Sequence, residues 1–474
     1  MSRQPGLRRG IWPVGVGILA LALLCGWALA AEAPQAPIQV LGERRELPNG
    51  LVWLFSEAHE LPLVTMQLLV KGGLLQEPAE KAGLANLTAQ LLLSGTQKRS
   101  ATTIAQELDF LGAKLSASGG ADFATVSLTV LKKDLDRGLD LFQDVVLNPA
   151  FAPGEIRRKV TQLKAALKSE EDEPGVVAVR EFDRELYGPF PYGRPVRGTA
   201  AGLSAITRQD LAVFHRRYWR PNNAILVLVG DLSREEAEKC VTQTFGAWAP
   251  GPLAPPKLPP TPPLNEPRVA VVDKDLTQAN IVLGSLGIAR ANPDFYAFQV
   301  MNYIFGGGGF SSRLMDHIRE NRGLAYSVAS SFSPGLEPGP FSVVLETKNA
   351  SAGEAVSLVL TEMERMRAQP VTGQELADAR SYLIGSFPRR MDSMAKRAGL
   401  LGYVECYGLG LDYPWRYPEL IQHLTPADIQ RVAEKYLHPD RYLLVVVGKK
   451  SAMPSFAGGA SPRKEEEKKD EEKK

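Results

Sequence analysis

A chain of 474 residues with 44% hydrophobic side chains is too long for one ordinary core and supports at least two. Its charges nearly cancel, 55 basic against 53 acidic, which excludes the strong positive field of a nucleic-acid binder. Three cysteines, Cys25, Cys240 and Cys406, are too few for a disulfide scaffold and lack the clustered spacing of a zinc ribbon.

At the N-terminus, Arg3, Arg8 and Arg9 precede an apolar run from Val14 to Leu24, followed by Ala28-Leu29-Ala30. Positive, apolar and small residues in that order make residues 1–30 a predicted secretory signal, cleaved after Ala30. The run is short for a full membrane span, and Leu24 is bulky where a lipoprotein signal wants a small residue before Cys25. An exported protein is expected, periplasmic first, with secretion or an uncleaved anchor as the other outcomes. Cleavage removes three arginines and no acids, so the net charge falls from +2 to −1. Cys240 and Cys406 then remain, either paired in an oxidising compartment or kept as buried thiols.

Residues 31–249 form the first predicted half. LVWLF from Leu51 and LVTMQLLV from Leu63 read as strands, and Gly72-Gly73 follows the second. Helical spacing runs from Lys81 to Ser94 and from Ala101 to Leu111, and FATVSLTV from Phe123 is a further strand. In ITRQDLAVFHRRYWRPNNAILVLVG, Ile206 to Gly230, Thr207 can cap a helix with Asp210 in its first turn. Pro221 then precedes a buried strand, Ala224 to Val229. Residues 250–267, PGPLAPPKLPPTPPLNEP, form a proline-rich linker that favours extended backbone.

The second predicted half, 268–450, repeats the first. LTPADIQRVAEKYLHPDRYLLVVVG, Leu424 to Gly448, matches Ile206 to Gly230 at an offset of 218 residues, pairing Thr207 with Thr425, Asp210 with Asp428 and Gly230 with Gly448. The same offset pairs Phe123 with Phe341 inside FSVVLET. Gly306 to Gly309 is followed by Phe310-Ser311-Ser312 and not by Gly-Lys-Ser/Thr, so it is read as a flexible turn and not a phosphate loop. Ser311 or Ser312 can start the next helix and Gly323 can end it, placing Arg319 in the last turn and Tyr326 in the following strand. The final stretch, 451–474, ends in RKEEEKKDEEKK and reads as a disordered charged tail. The expected fold class is α+β: two homologous half-domains, each a mainly antiparallel β-sheet packed with α-helices.

Gly83 to Thr96, GLANLTAQLLLSGT, resembles the pitrilysin or insulinase-like zinc peptidases, with LPNGLVWLF, Gly72-Gly73 and Tyr187-Gly188 before PYGRPVRGT in the expected order. The resemblance spans Val40 to Gly448. In that family the helix carries H-x-x-E-H, two zinc-binding histidines flanking a glutamate that activates water. Here the three positions hold Asn86, Ala89 and Gln90, and the family's further glutamate ligand falls near Ala165 or Ala166. The five histidines, His59, His215, His317, His423 and His438, are scattered and do not replace them. No Gly-x-Ser-x-Gly elbow offers a different nucleophile.

GGGGFSSRLMDHIRENRGLAYSV, Gly306 to Val328, resembles the C-terminal half of the same family, in which an arginine and a tyrosine face the substrate; Arg319 and Tyr326 match them. The resemblance implies a noncatalytic, substrate-gripping subunit without metal. It would complete the active site of a zinc-bearing homologous partner on an extended peptide, with no independent activity of its own. The alternative is a peptide-binding or scaffold protein that keeps the fold without taking part in proteolysis.

Overall fold

The computed structural model describes residues 39–456, so the predicted signal and most of the charged tail lie outside the described residues. Eleven strands, β1 Glu43–Glu46, β2 Val52–Glu57, β3 Leu63–Val70, β4 Lys114–Gly119, β5 Ala124–Leu131, β6 Ala224–Gly230, β7 Arg268–Asp273, β8 Gln278–Leu286, β9 Ala325–Phe332, β10 Pro340–Lys348 and β11 Leu443–Gly448, make two sheets. The first has the order β1-β2-β6-β3-β5-β4 and the second β7-β11-β8-β10-β9. Apart from β1, the second sheet repeats the first strand for strand. Each has one parallel pair, β2 with β6 and β7 with β11, and is antiparallel elsewhere.

The repeated segments fold alike because they carry the same local instructions. Thr207 caps the Arg208–Tyr218 helix by accepting from the Asp210 amide at 3.2 Å, while Asp210 accepts from the Thr207 amide at 2.9 Å. Thr425 and Asp428 build the same reciprocal box on the Pro426–Tyr436 helix, at 3.3 and 2.8 Å. Residues 251–265 then carry neither helix nor strand, as repeated proline dictates.

Every residue of β6 and of β11 is buried, so both faces of each sheet are covered at its centre. The cover is exchanged between halves. The Met394–Cys406 helix packs on β3 and β6, while the Pro174–Tyr187 helix packs on β8 and β11. Alternation along β6 shows it directly: Leu226 and Leu228 face the first half's own core, whereas Ile225, Val227 and Val229 join a cluster with Leu401 and Val404. On β11, Val445 and Val447 likewise meet Val177 and Phe182, while Leu444 and Val446 face their own half. Gly402 permits one approach, since a Cβ there would lie 2.8 Å from a Leu69 methyl. The apolar core therefore runs across the predicted boundaries at 249 and 268.

Candidate functional site

The helix that matters first is shorter than its hydrophobic spacing suggested. It spans Leu84–Leu91, with 3-10 turns at Ala79–Lys81 and Leu92–Ser94 replacing the ends of the predicted Lys81–Ser94 stretch. Its N-terminus is capped from a distance, because Gly83 has no side chain and sits at φ +100°. The Glu77 carboxylate accepts from the Gly83 and Ala85 amides, each at 3.0 Å. Burial pushes the Glu77 carboxyl up to about 7, against the opposing pull of those amides and of Arg194.

Asn86 and Ala89 are buried on this helix, and Gln90 is half-buried. The two amides, one turn apart, bond to each other: Gln90 Nε2 donates to Asn86 Oδ1 at 3.0 Å, and the Gly119 amide of β4 donates to the same oxygen at 3.3 Å. Asn86 Oδ1 is thus occupied by two donors, and the remaining amide oxygen, Gln90 Oε1, is neutral and a poor ligand for zinc. Asn86 Nδ2, buried without a protein partner, is itself a donor and cannot ligate. Ala165 is exposed and Ala166 half-buried on the Pro153–Glu170 helix, which packs against this one. These side chains do not fit a zinc ion, which takes thiolate, imidazole or carboxylate ligands.

The histidines are engaged elsewhere. His59 joins Glu57 and Asp231, His215 the carbonyl of Val146, His317 the buried Glu362, His423 the carbonyl of Glu419, and His438 the guanidinium of Arg441. Cys240 and Cys406 are both free thiols, and burial pushes the Cys406 thiol up to about 12.

The second half is arranged differently at the equivalent place. Strand register sets the equivalence: the Phe295–Asn302 helix follows β8 and packs on the Pro426–Tyr436 helix, as the Leu84–Leu91 helix follows β3 and packs on the Arg208–Tyr218 helix. The glycine run is not the flexible turn expected from sequence: Tyr303–Gly307 is a π-helix packed on β9, as the Leu84–Leu91 helix packs on β4. A Cβ on Gly306 would lie 2.6 Å from Ser330 Oγ, so the glycine is a packing requirement. Downstream, the expected α-helix is also wider, with Met315–Glu320 forming a second π-turn, a feature often found at functional sites. Gly323, at φ +62°, reverses the chain as its position predicted, and its amide donates to the Arg319 carbonyl at 2.8 Å.

That reversal brings Arg319 and Tyr326 together. The Arg319 guanidinium carbon lies 5.7 Å from the centre of the Tyr326 ring and 5.3 Å from that of Phe310. Tyr326 is 76% exposed and Phe310 73%, so two large aromatic rings flank one cation at the surface. Phe310 went unnoticed in the sequence, although an aromatic residue directly after four glycines was the available signal. Arg319 Nε is also 3.7 Å from Glu320. A cleft of about 440 Å³ beside the pair is lined by Gln278, Thr347 and Lys348 among others, all from the second half. A guanidinium and a phenol there can donate to carbonyl or carboxylate oxygens of an extended chain.

Comparison with known proteins gives the family. Residues 53–200 match the family described as insulinase, peptidase family M16, and residues 205–383 match the peptidase M16 inactive domain. An uncharacterized zinc protease of Mycobacterium bovis is 30% identical over 427 residues, covering 88% of this chain and 95% of that protein. A protein of Helicobacter pylori described as a non-peptidase homolog is 27% identical, covering 84% of this chain and 91% of its own. The crystal structure of a peptidase M16 inactive domain from Pseudomonas fluorescens superposes with a TM-score of 0.81 at 32% identity, covering 87% of this chain and all of that one. By these similarities the chain belongs to the M16 or insulinase peptidase family as a noncatalytic member.

Proposed function

We propose that this chain is the substrate-gripping subunit of a heteromeric M16 peptidase, exported to the periplasm, and that it completes in trans the active site of a zinc-bearing homologue. One observation carries the reading: the metal positions of the first half are closed by protein hydrogen bonds, while Arg319 and Tyr326 of the second half are stacked and open to solvent. The partner would supply zinc and activated water. Arg319 and Tyr326 would donate to the peptide carbonyl and to the charge that develops on it. The edge strands β4 and β9 offer unpaired main-chain groups against which an extended peptide could align.

Reconstitution with a zinc-bearing homologue from the same cell tests this directly. The chain alone should hold no stoichiometric zinc and hydrolyse no peptide, and the pair should do both. Arg319→Ala combined with Tyr326→Phe should lower reconstituted turnover by about a hundredfold while the two chains still co-elute. Undiminished turnover in that variant would favour the alternative, a peptide-binding or scaffold protein. Its support is that the Arg319 guanidinium already has neighbours within its own half.

A further inference from the structure

A cavity of about 660 Å³ opens between the two halves, within the size range of small-ligand sites. One wall is the Pro174–Tyr187 helix, on which Val179, Asp183 and Tyr187 are spaced by single turns and so share a face. The opposite wall is the second sheet, where Val282 of β8 and Val344 of β10 stand directly across from one another. Val179 and Val344 remain partly open to solvent, so these walls are not fully closed by packing.

Two carboxylates line this space and their situations differ. Asp122 is saturated: it accepts from the Tyr192 hydroxyl, from the Leu336 amide at 2.9 Å and from the Tyr407 hydroxyl at 3.3 Å, tying the halves together. Asp183 lines the cavity, and among the described residues its carboxyl has no hydrogen-bond or ion-pair partner. Burial alone pushes its carboxyl up to about 7. Arg194 also lines the cavity, but its guanidinium donates to the Glu77 carbonyl and interacts with the Glu77 carboxylate. The Tyr187 hydroxyl donates to the Pro338 carbonyl, and its buried ring is packed against Phe190 and Tyr192.

We propose that this cavity binds the basic side chain of an extended peptide, with Asp183 as its counter-charge. The ligand chemistry follows from the walls. An unpaired carboxylate among apolar groups is costly until a cation reaches it. A cation on an aliphatic stem satisfies both parts of the site, its methylenes against Val179, Val282 and Val344 and its charge at Asp183. The inference deepens the peptide-gripping reading and rests on it only for the source of the cation. Asp122, Arg194, Tyr187, Tyr192 and Tyr407 are the other charged or titratable groups lining the cavity, and β8 and β10 contribute none. Binding therefore strengthens as pH rises through the Asp183 range, where lysine stays protonated.

The test is calorimetric titration of the full chain, without partner, with a blocked alanine pentapeptide bearing one central lysine. The same peptide with norleucine, and free pentylamine, complete the set. At about pH 8 the lysine peptide should bind about tenfold more tightly than the norleucine peptide, and at about pH 6 that preference should shrink. Asp183→Asn, which removes a buried charge without changing shape, should abolish the preference; its thermal melt verifies folding. Val344→Phe, which narrows the cavity, should weaken the lysine peptide with Asp183 intact. Equal binding of the two peptides, no binding of either, or a preserved preference in Asp183→Asn would overturn the site. Pentylamine binding as tightly as the lysine peptide would overturn the peptide source. Since no hydrolysis is measured, failure here leaves the Arg319 and Tyr326 test standing, and the reverse also holds.

Discussion

The Leu84–Leu91 helix against β4, and the Phe295–Asn302 helix with its Tyr303–Gly307 π-helical extension against β9, occupy equivalent places in two copies of one fold, and they have been altered in opposite directions. In the first, polar side chains are turned inward and bonded to each other and to β4, leaving no group to hold a metal. In the second, the helix is apolar and its extension ends in Gly306 and Gly307, while polar and aromatic side chains gather at the chain reversal beyond, where Phe310, Arg319 and Tyr326 meet at the surface. Both retain the tight contact between helix and edge strand. The contrast separates what the fold requires, close packing at the strand edge, from the side chains that each half presents beside it.

The contact itself can be broken in both copies. A Cβ on Gly119 would lie 2.5 Å from the Asn86 Cα, and one on Gly306 2.7 Å from the Ser330 amide nitrogen. Backbone cannot move aside as a flexible side chain can. Gly119→Ala and Gly306→Ala should therefore each destabilise the protein by about 2–4 kcal/mol in urea unfolding, the largest stability effects expected here. Similar costs would show that the two edges are equally constrained; a cost confined to Gly119 would show that the glycine run has freedom the first half lacks.

The sequence made the shared frame legible because its signals are local. The Thr-x-x-Asp caps, the proline before each central strand and the apolar runs of β6 and β11 each specify their own element, and they recur at one spacing. The exchange of inner helices was not legible, since nothing within Pro174–Tyr187 tells which sheet will cover it. For the same reason Asp183 reads as one acid on an amphipathic helix until the opposite wall is in place. The π-turns also escaped notice, because a helix widened by one residue keeps most of its hydrophobic spacing. Arg319 and Tyr326 were found through resemblance; their stacking with Phe310 required coordinates.

Titration sharpens the comparison further, because burial raises Glu77 ahead of the Leu84–Leu91 helix, whereas the buried Asp294 at the start of the Phe295–Asn302 helix is lowered to about 2, against burial, by Lys435, Tyr436 and Arg431. With its folded value at about 7, above the ordinary carboxylate range, Glu77 holds a proton more tightly in the folded than in the unfolded chain. The associated stability is fully present at low pH, declines as pH rises from the ordinary carboxylate value toward 7, and is lost above it. Asp183 acts with the same sign. Between about pH 5 and 8 the unmodified protein should lose about 1–3 kcal/mol on account of Glu77, and Glu77→Gln should flatten that slope in unfolding experiments at each pH. An unchanged slope would mean that the two backbone amides hold the carboxylate charged throughout.

The smallest effect concerns the helix caps, where the halves should be indistinguishable. Thr207 and Thr425 each accept from the amide three residues on, at 3.2 and 3.3 Å, and each is matched by an aspartate returning a bond to the threonine amide. Both sites are exposed, so each alanine substitution removes one cap without opening a cavity. Thr207→Ala and Thr425→Ala should each cost about 1 kcal/mol, and the double variant about the sum, because the caps share no partner. A double variant that loses markedly more would reveal coupling through the exchanged helices, making the two copies a single cooperative unit at their periphery as well as in their core.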